Sequence, residues 1–246
     1  MKILRFGISD DDYGDLPTEQ RSWHLAQERL SHETGLPWET VIASGWPSRG
    51  FAAEVERRLE GEQPDLVFFA CAAFWVSYPS APLVVQRSRL PLRKQLARAG
   101  FWAASKPFIG DRALFHRVRA AAVTAVARAF YFEPERALAH LEPAVRAAVR
   151  REHLAVAVRG PLPLNVPGGP SLRAEAEVRR ARFDALLVEL CRTLHVAYTG
   201  FAAGETHPRE ELLGDRIHVN AAGHARRAPA EAELMVRAWR AASGDE

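Results

Sequence analysis

The sequence predicts an α/β protein built on a mostly parallel sheet. Three observations point there. Short apolar runs alternate with stretches of helical periodicity along the chain. The run Asp65-Leu66-Val67-Phe68-Phe69-Ala70-Cys71 is apolar throughout after its first residue. No internal repeat, low-complexity tract or Ser/Gly-rich linker marks off the strand-poor stretch from about residue 84 to 152 as a separate domain. Alternation of strands and helices favours layers in which helices cover a parallel sheet. A strand that is apolar on both sides belongs in the middle of such a sheet, covered on both faces.

Taken in order, the strand candidates are Lys2–Phe6, Glu39–Ala43, Leu66–Cys71, Leu154–Val158 and His195–Tyr198. Helical patterns lie between them near Thr18–Thr34, Gly50–Gly61, Leu172–Leu194 and Ala221–Ala242. Pro17-Thr18 and Pro170-Ser171 read as helix starts, and Gly35 and Gly61 as stops, because proline fits a first helical turn and glycine a left-handed cap. From about residue 84 to 152 the Ala/Arg/Leu pattern holds no strand. It reads as several helices punctuated by Pro107, Pro134 and Pro143, a helical insertion between the third and fourth strands of one domain spanning 1–246.

Composition narrows the functional class. No apolar run reaches the roughly 20 residues that span a bilayer. The N-terminus carries Lys2 and Arg5 and lacks a signal-type apolar stretch, so a cytoplasmic location is expected. Cys71 and Cys191 offer neither metal spacing nor a disulfide framework and read as buried small hydrophobes. Residues 76–132 hold ten Lys/Arg against the single acid Asp111, although the whole chain is only +3. Solvated helix faces explain this concentration better than an anionic partner. No nucleic-acid motif accompanies it, so no nucleic-acid partner is expected. Gly168-Gly169 lacks the phosphate-loop pattern, and no cofactor is called for. Asp10-Asp11-Asp12 reads as a solvated turn. With no second cluster at ligand spacing, no metal is expected.

The residues that bear chemistry sit at the two ends of the chain. Near the C-terminus stands Asp215-Arg216-Ile217-His218-Val219-Asn220-Ala221-Ala222-Gly223-His224, that is D-x-x-H-x-N-x-x-G-H. Near the N-terminus, Ser9 follows a short apolar strand and Gly7. A serine hydroxyl becomes nucleophilic when a nearby base takes its proton, and neutral histidine suits that task near pH 7. The histidine in turn needs a partner on its second nitrogen. Asp215 and His218, three apart, can both face a cleft at the carboxyl edge of the sheet, where ligands of open α/β folds bind.

These blocks resemble the SGNH (GDSL-like) hydrolases. Gly7-Ile8-Ser9 is similar to the nucleophile block, Val41-Ile42-Ala43-Ser44-Gly45-Trp46 to the second block, and Pro64-Asp65-Leu66-Val67 to the strand leading to the third. Val156–Leu164 is similar to the fourth strand, and the Asp215–His218 segment to the final block. The resemblance implies a three-layer α/β/α, flavodoxin-like fold with a central parallel five-stranded sheet. It also implies hydrolysis of a small-molecule carboxylic ester or acyl substrate. In that reading Ser9 is the nucleophile, His218 the base, Asp215 its orienting carboxylate, and the N–H groups of Ser9 and Gly45 the oxyanion donors. Trp46, Phe74, Trp75 and Asn165 would line the substrate pocket.

Two departures stand out. Gly-Asp-Ser has become Gly-Ile-Ser. The Gly-x-Asn-Asp of the third block is Ala72-Ala73-Phe74-Trp75, with no amide to donate to an oxyanion. Losing one such donor commonly lowers the rate about 10²–10³-fold. Ser44, Ser77 or Asn165 could substitute, the acyl group could pass to an alcohol or amine acceptor instead of water, or the site could bind without turnover. His224, on the first turn of the last helix, reads as structural, and His207-Pro208 as a loop.

Overall fold

The computed structural model describes residues 1–13, 15–80, 129–166, 168–201 and 207–244, with single positions 83, 95 and 121 between them. Five strands, β1 (Lys2–Gly7), β2 (Glu39–Ser44), β3 (Leu66–Ala70), β4 (Ala155–Arg159) and β5 (Ala197–Thr199), form one sheet in the order β2-β1-β3-β4-β5. Every neighbouring pair is parallel, as the strand–helix alternation predicts. The helices are α1 (Ser22–Thr34), α2 (Phe51–Glu62), the short α3 (Phe74–Ser77), α4 (Pro134–Val149), α5 (Pro170–Leu194) and α6 (Ala221–Ser243).

Side chains alternate across the strands and feed two cores, one on each face. Leu4, Phe6, Val67, Phe69, Val156 and Val158 pack with Val55 and Leu59 of α2, Leu141 and Val145 of α4, and Phe183 and Leu187 of α5. Ile3, Leu66, Phe68, Ala155 and Ala157 pack with Ala26 and Leu30 of α1 and with Leu234, Met235 and Ala238 of α6. Layers of helix on both faces of a parallel sheet result, the fold class the sequence predicts.

Differences from the sequence reading are local. α2 runs through Gly61 and ends on Gln63, whose left-handed φ of 46° closes the helix in glycine's place. Gly35 does cap α1 in the left-handed conformation. Pro134 opens α4 as expected, whereas Pro143 lies inside that helix instead of ending one. α4 itself, drawn from the stretch read as an insertion, lies in the layer with α2 and α5. Pro107 and the rest of that stretch up to residue 128, apart from positions 95 and 121, fall outside the described residues, as does most of its basic charge. No helix of the described residues is long and apolar enough to cross a membrane. Cys71 and Cys191 are buried free thiols, and burial pushes the Cys71 thiol well up.

Candidate active site

At the carboxyl end of β1 the chain leaves the sheet and turns at once. Ser9–Asp11 form one turn of 3₁₀ helix, closed by Asp11 N–H to Ile8 O at 3.0 Å and Asp12 N–H to Ser9 O at 3.1 Å. The Asp11 carboxylate folds back to accept the Ile8 N–H at 2.8 Å and pairs with the Arg5 guanidinium at 2.9 Å. The turn is therefore tied to the strand that leads into it, and Ser9 stands at its exposed start.

His218 reaches Ser9 from the opposite end of the chain. Its Nε2 lies 3.0 Å from Ser9 Oγ, and its Nδ1 lies 2.5 Å from Asp215 Oδ2. Asp215 is buried and accepts two further bonds on Oδ1, from the N–H groups of Ile217 at 2.9 Å and His218 at 3.0 Å. Burial opposes ionisation of this carboxyl. The His218 hydrogen bond and charge, with the two N–H donors, outweigh burial and hold it below its ordinary range. Between them Arg216 takes a left-handed φ of 60°, which lets one carboxylate serve both following amides.

The remaining letters of the C-terminal motif build the loop. Leu213 N–H donates to His218 O at 2.8 Å, and Leu212 bridges Val219 in antiparallel sense. Asn220 caps α6, its side-chain oxygen accepting from the N–H groups of Ala222 and Gly223. A Cβ on Gly223 would stand 2.7 Å from both Glu211 O and the Val219 side chain, so only glycine fits there. His224 is buried and its Nδ1 accepts the Ser22 N–H at 3.1 Å. Burial, with the nearby Arg227 charge, pushes its pKa down to about 4, so the ring is a neutral structural acceptor.

Three residues that sequence reasoning assigned to a solvated turn, or passed over, complete the arrangement. Asp10 and Asp11 are buried, not solvated. Asp10 pairs with Arg227 of α6 at 2.7 Å and accepts the Val219 N–H at 3.4 Å, so it links the Ser9 turn to the His218 loop. Burial opposes its ionisation, but Arg227 holds the carboxyl well below the usual range. Only Asp12 of the three is solvated. Tyr13 lays its ring flat on His218, with centroids 3.7 Å apart and planes 11° from parallel. Its position four residues after Ser9 carried no signal that it would meet a histidine 205 positions away.

A cavity of about 830 Å³ opens over Ser9 and His218, within the range of small-molecule sites. Of the pocket residues expected from the sequence, Trp46, Phe74 and Trp75 line it, and Asn165 does not. Tyr78 and Tyr131 join them. Phe74 stacks on Tyr78 at 5.0 Å, and Trp46 meets Tyr131 edge-on at 5.2 Å. Leu162, Pro163 and Leu164, from the rigid loop after β4, face the same space, as do buried His207 and Arg227.

The expected oxyanion donors fare unequally. The Ser9 N–H opens its 3₁₀ turn and takes no part in the turn's own bonds. The Gly45 N–H instead donates to Gly7 O at 2.9 Å, extending the β1–β2 ladder, which corrects the role expected for it. A Cβ there would lie 2.8 Å from both Gly7 O and Phe6 O, so the glycine answers a close approach of main chains. Ser77, a possible substitute for the third-block amide, spends its hydroxyl proton on Ala73 O. Ser44 lines the cavity, as do Ala72 and Ala73. Among the described residues no group of three or more His, Cys, Asp or Glu is placed to hold a metal ion.

No protein-family model matches the chain, and no curated protein matches it. Solved structures do. The chain is similar to the psychrotrophic esterase EstA from Pseudoalteromonas sp., in a structure inhibited by monoethylphosphonate. That match has a TM-score of 0.51 and 15% identity, and covers 96% of this chain and 95% of that one. It is also similar to a gut microbial diltiazem-metabolizing enzyme, with a TM-score of 0.51 and 12% identity over 97% of this chain and 46% of the other. At these identities the likeness establishes a shared fold.

Proposed function

We propose that this protein is a serine hydrolase of carboxylic esters with an apolar acyl or alcohol portion. The observation that carries the reading is His218 bonded on one nitrogen to Ser9 and on the other to Asp215. Two residues 209 positions apart meet at hydrogen-bond distance at the mouth of a largely apolar cavity. The shared fold with an esterase inhibited by monoethylphosphonate adds support.

In this reading the Ser9 Oγ attacks the ester carbonyl while His218 Nε2 accepts its proton, and the carbonyl oxygen becomes an oxyanion. Asp215 holds Nδ1–H, fixing the tautomer and stabilising the imidazolium. The Ser9 N–H, at the start of its turn, donates to the oxyanion. His218 then returns the proton to the departing alcohol oxygen, leaving the acyl group on Ser9. Water, deprotonated by the same nitrogen, releases the acid and restores the serine. With alanine methyls where an amide would donate, turnover should be modest, since one missing donor costs about 10²–10³-fold.

The test is the initial rate on p-nitrophenyl esters of graded acyl length, for wild type and Ser9→Ala. Serine-dependent turnover supports the reading, and the best acyl length sizes the cavity. Inactivity of both proteins on every length would sink it. Diversion of the acyl group to an added alcohol would assign transfer in place of hydrolysis.

A further inference from the structure

A histidine held by hydrogen bonds at its two ring nitrogens is still free in one respect. Both bonds lie in the ring plane, so the imidazole can tip about the line joining Nδ1 and Nε2, or swing out as a unit. Tilting costs each bond its alignment, and hydrogen bonds weaken steeply away from linearity. On His218 that freedom is removed by Tyr13, whose ring covers one face at 3.7 Å and 11°. Offset aromatic pairs ordinarily sit about 4.5–7 Å apart, so this is a close face-to-face contact with little room for the ring to tip.

The covering ring is itself tied to the serine. The Tyr13 N–H donates to Ser9 O at 2.7 Å, so its main chain moves with the nucleophile turn. Ser9, its turn, Tyr13, His218 and the return bond to Ser9 Oγ thus close a ring of contacts. Tyr13 also lines the cavity beside His218, shielding that face of the imidazole from water.

We propose that Tyr13 is a positioning residue: by stacking flat on His218 it holds the imidazole in the plane that contains both Ser9 Oγ and Asp215 Oδ2. The inference rests on the hydrolase reading and goes beyond it, since neither the serine–histidine–aspartate pattern nor the resemblance assigns this tyrosine a role. What matters is the flat face. Phenylalanine should therefore preserve the function, and leucine, which fills similar space without a planar face, should not. A displacement of about 1 Å at such a site can lower rates about 100-fold.

The experiment measures the rate at which a small fluorophosphonate labels Ser9, in wild type and in Tyr13→Phe, Tyr13→Leu and Tyr13→Ala. The probe is small enough to report the serine rather than the fit of an acyl group. We expect Tyr13→Phe to keep most of the rate and the Leu and Ala variants to lose about ten- to 100-fold. Alongside it, the His218 ring-proton resonance, moved upfield by the stacked ring, should stay in Tyr13→Phe and shift downfield in Tyr13→Leu and Tyr13→Ala. Leucine keeps the site filled, so a folding defect in the alanine variant does not decide the matter. Labelling of Tyr13→Leu at the wild-type rate would overturn the inference alone. A wild-type Ser9 that does not label would overturn the hydrolase reading and this inference with it.

Discussion

The hydrogen-bonded relay at the cavity mouth and the buried charge cluster beneath it meet at the Ser9–Asp11 turn, yet they are built on opposite terms. In the relay, His218 retains contact with solvent, its side chain 12% exposed, and it has a hydrogen-bond partner on each ring nitrogen. In the cluster, Arg5, Asp11, Arg159 and Glu231 are all at most 2% exposed. Glu231 of α6 receives both Arg5 of β1 and Arg159 of β4, while Asp11 takes the other side of Arg5. With Asp10 and Arg227 added, three cations face three carboxylates, and the cluster carries no net charge. Burial pushes Glu231 up, but Arg5 and Arg159 outweigh it and bring its pKa down to about 2. A fixed, neutralised cluster can hold a turn in place; a relay proposed to pass protons to a substrate has to stay open to it. The contrast teaches that the site proposed for chemistry rests on an ionic base whose own charges are paired and enclosed.

That division of labour can be broken on either side. The largest effect is expected from the relay. His218→Ala should lower ester turnover or Ser9 labelling by 10⁴-fold or more, and Asp215→Asn by about 10⁴-fold, since the wrong tautomer disables the base. Thermal unfolding of His218→Ala should change by about 1–3 kcal/mol, because buried Asp215 loses the imidazole and keeps the main-chain N–H donors of positions 217 and 218.

The cluster should respond the other way, in stability before rate. Glu231→Ala leaves Arg5 and Arg159 buried without their carboxylate and should destabilise by about 3–5 kcal/mol, read from urea unfolding. Glu231→Gln keeps an acceptor and should lose less. If Glu231→Ala unfolded at the wild-type midpoint, the cluster would have no structural role. Smaller again, Gly45→Ala forces a methyl against two carbonyl oxygens and should destabilise by about 1–3 kcal/mol.

The smallest effect is a pH dependence with two windows. His224 is neutral in the fold, with its pKa lowered to about 4 from an unfolded value of about 6.5. The unfolded chain therefore binds the proton first, and this contribution is whole above pH 6.5 and lost as pH falls toward 4. Glu231, with its folded pKa near 2, contributes stability that is whole above about pH 4.5 and lost below it. Urea midpoints at pH 7.5 and 5 should differ in wild type and differ less in His224→Gln. An equal drop in both proteins would remove His224 from the explanation.

Most of the fold was legible because it rests on hydrophobic pattern. Four strands fall within a residue or so of their expected bounds, since each is a short run dense in Val, Ile, Leu, Phe or Ala. The relay was legible for another reason: Asp215 and His218 lie three apart, so their pairing is local and visible as a motif. The cluster was not. Arg5 and Asp11 are six residues apart, but Glu231 is 226 residues from Arg5 and Arg227 is 217 from Asp10. Nothing in a run of three aspartates reveals that two of them will find buried guanidinium groups. Arg5 did carry a hint, as a charge flanked by apolar residues in the middle of a strand. Gly45 failed for a subtler reason, because a glycine required by close main-chain approach and one required to present an N–H look alike in sequence.

The most direct test of the central claim is intact-mass and peptide analysis after fluorophosphonate treatment of wild type, Ser9→Ala and His218→Ala. If His218 activates Ser9, wild type gains one adduct on the Ser9 peptide, Ser9→Ala gains none, and His218→Ala reacts more slowly by about 10⁴-fold or more. An unlabelled wild type, or a His218→Ala protein that labels as fast as wild type, would contradict it.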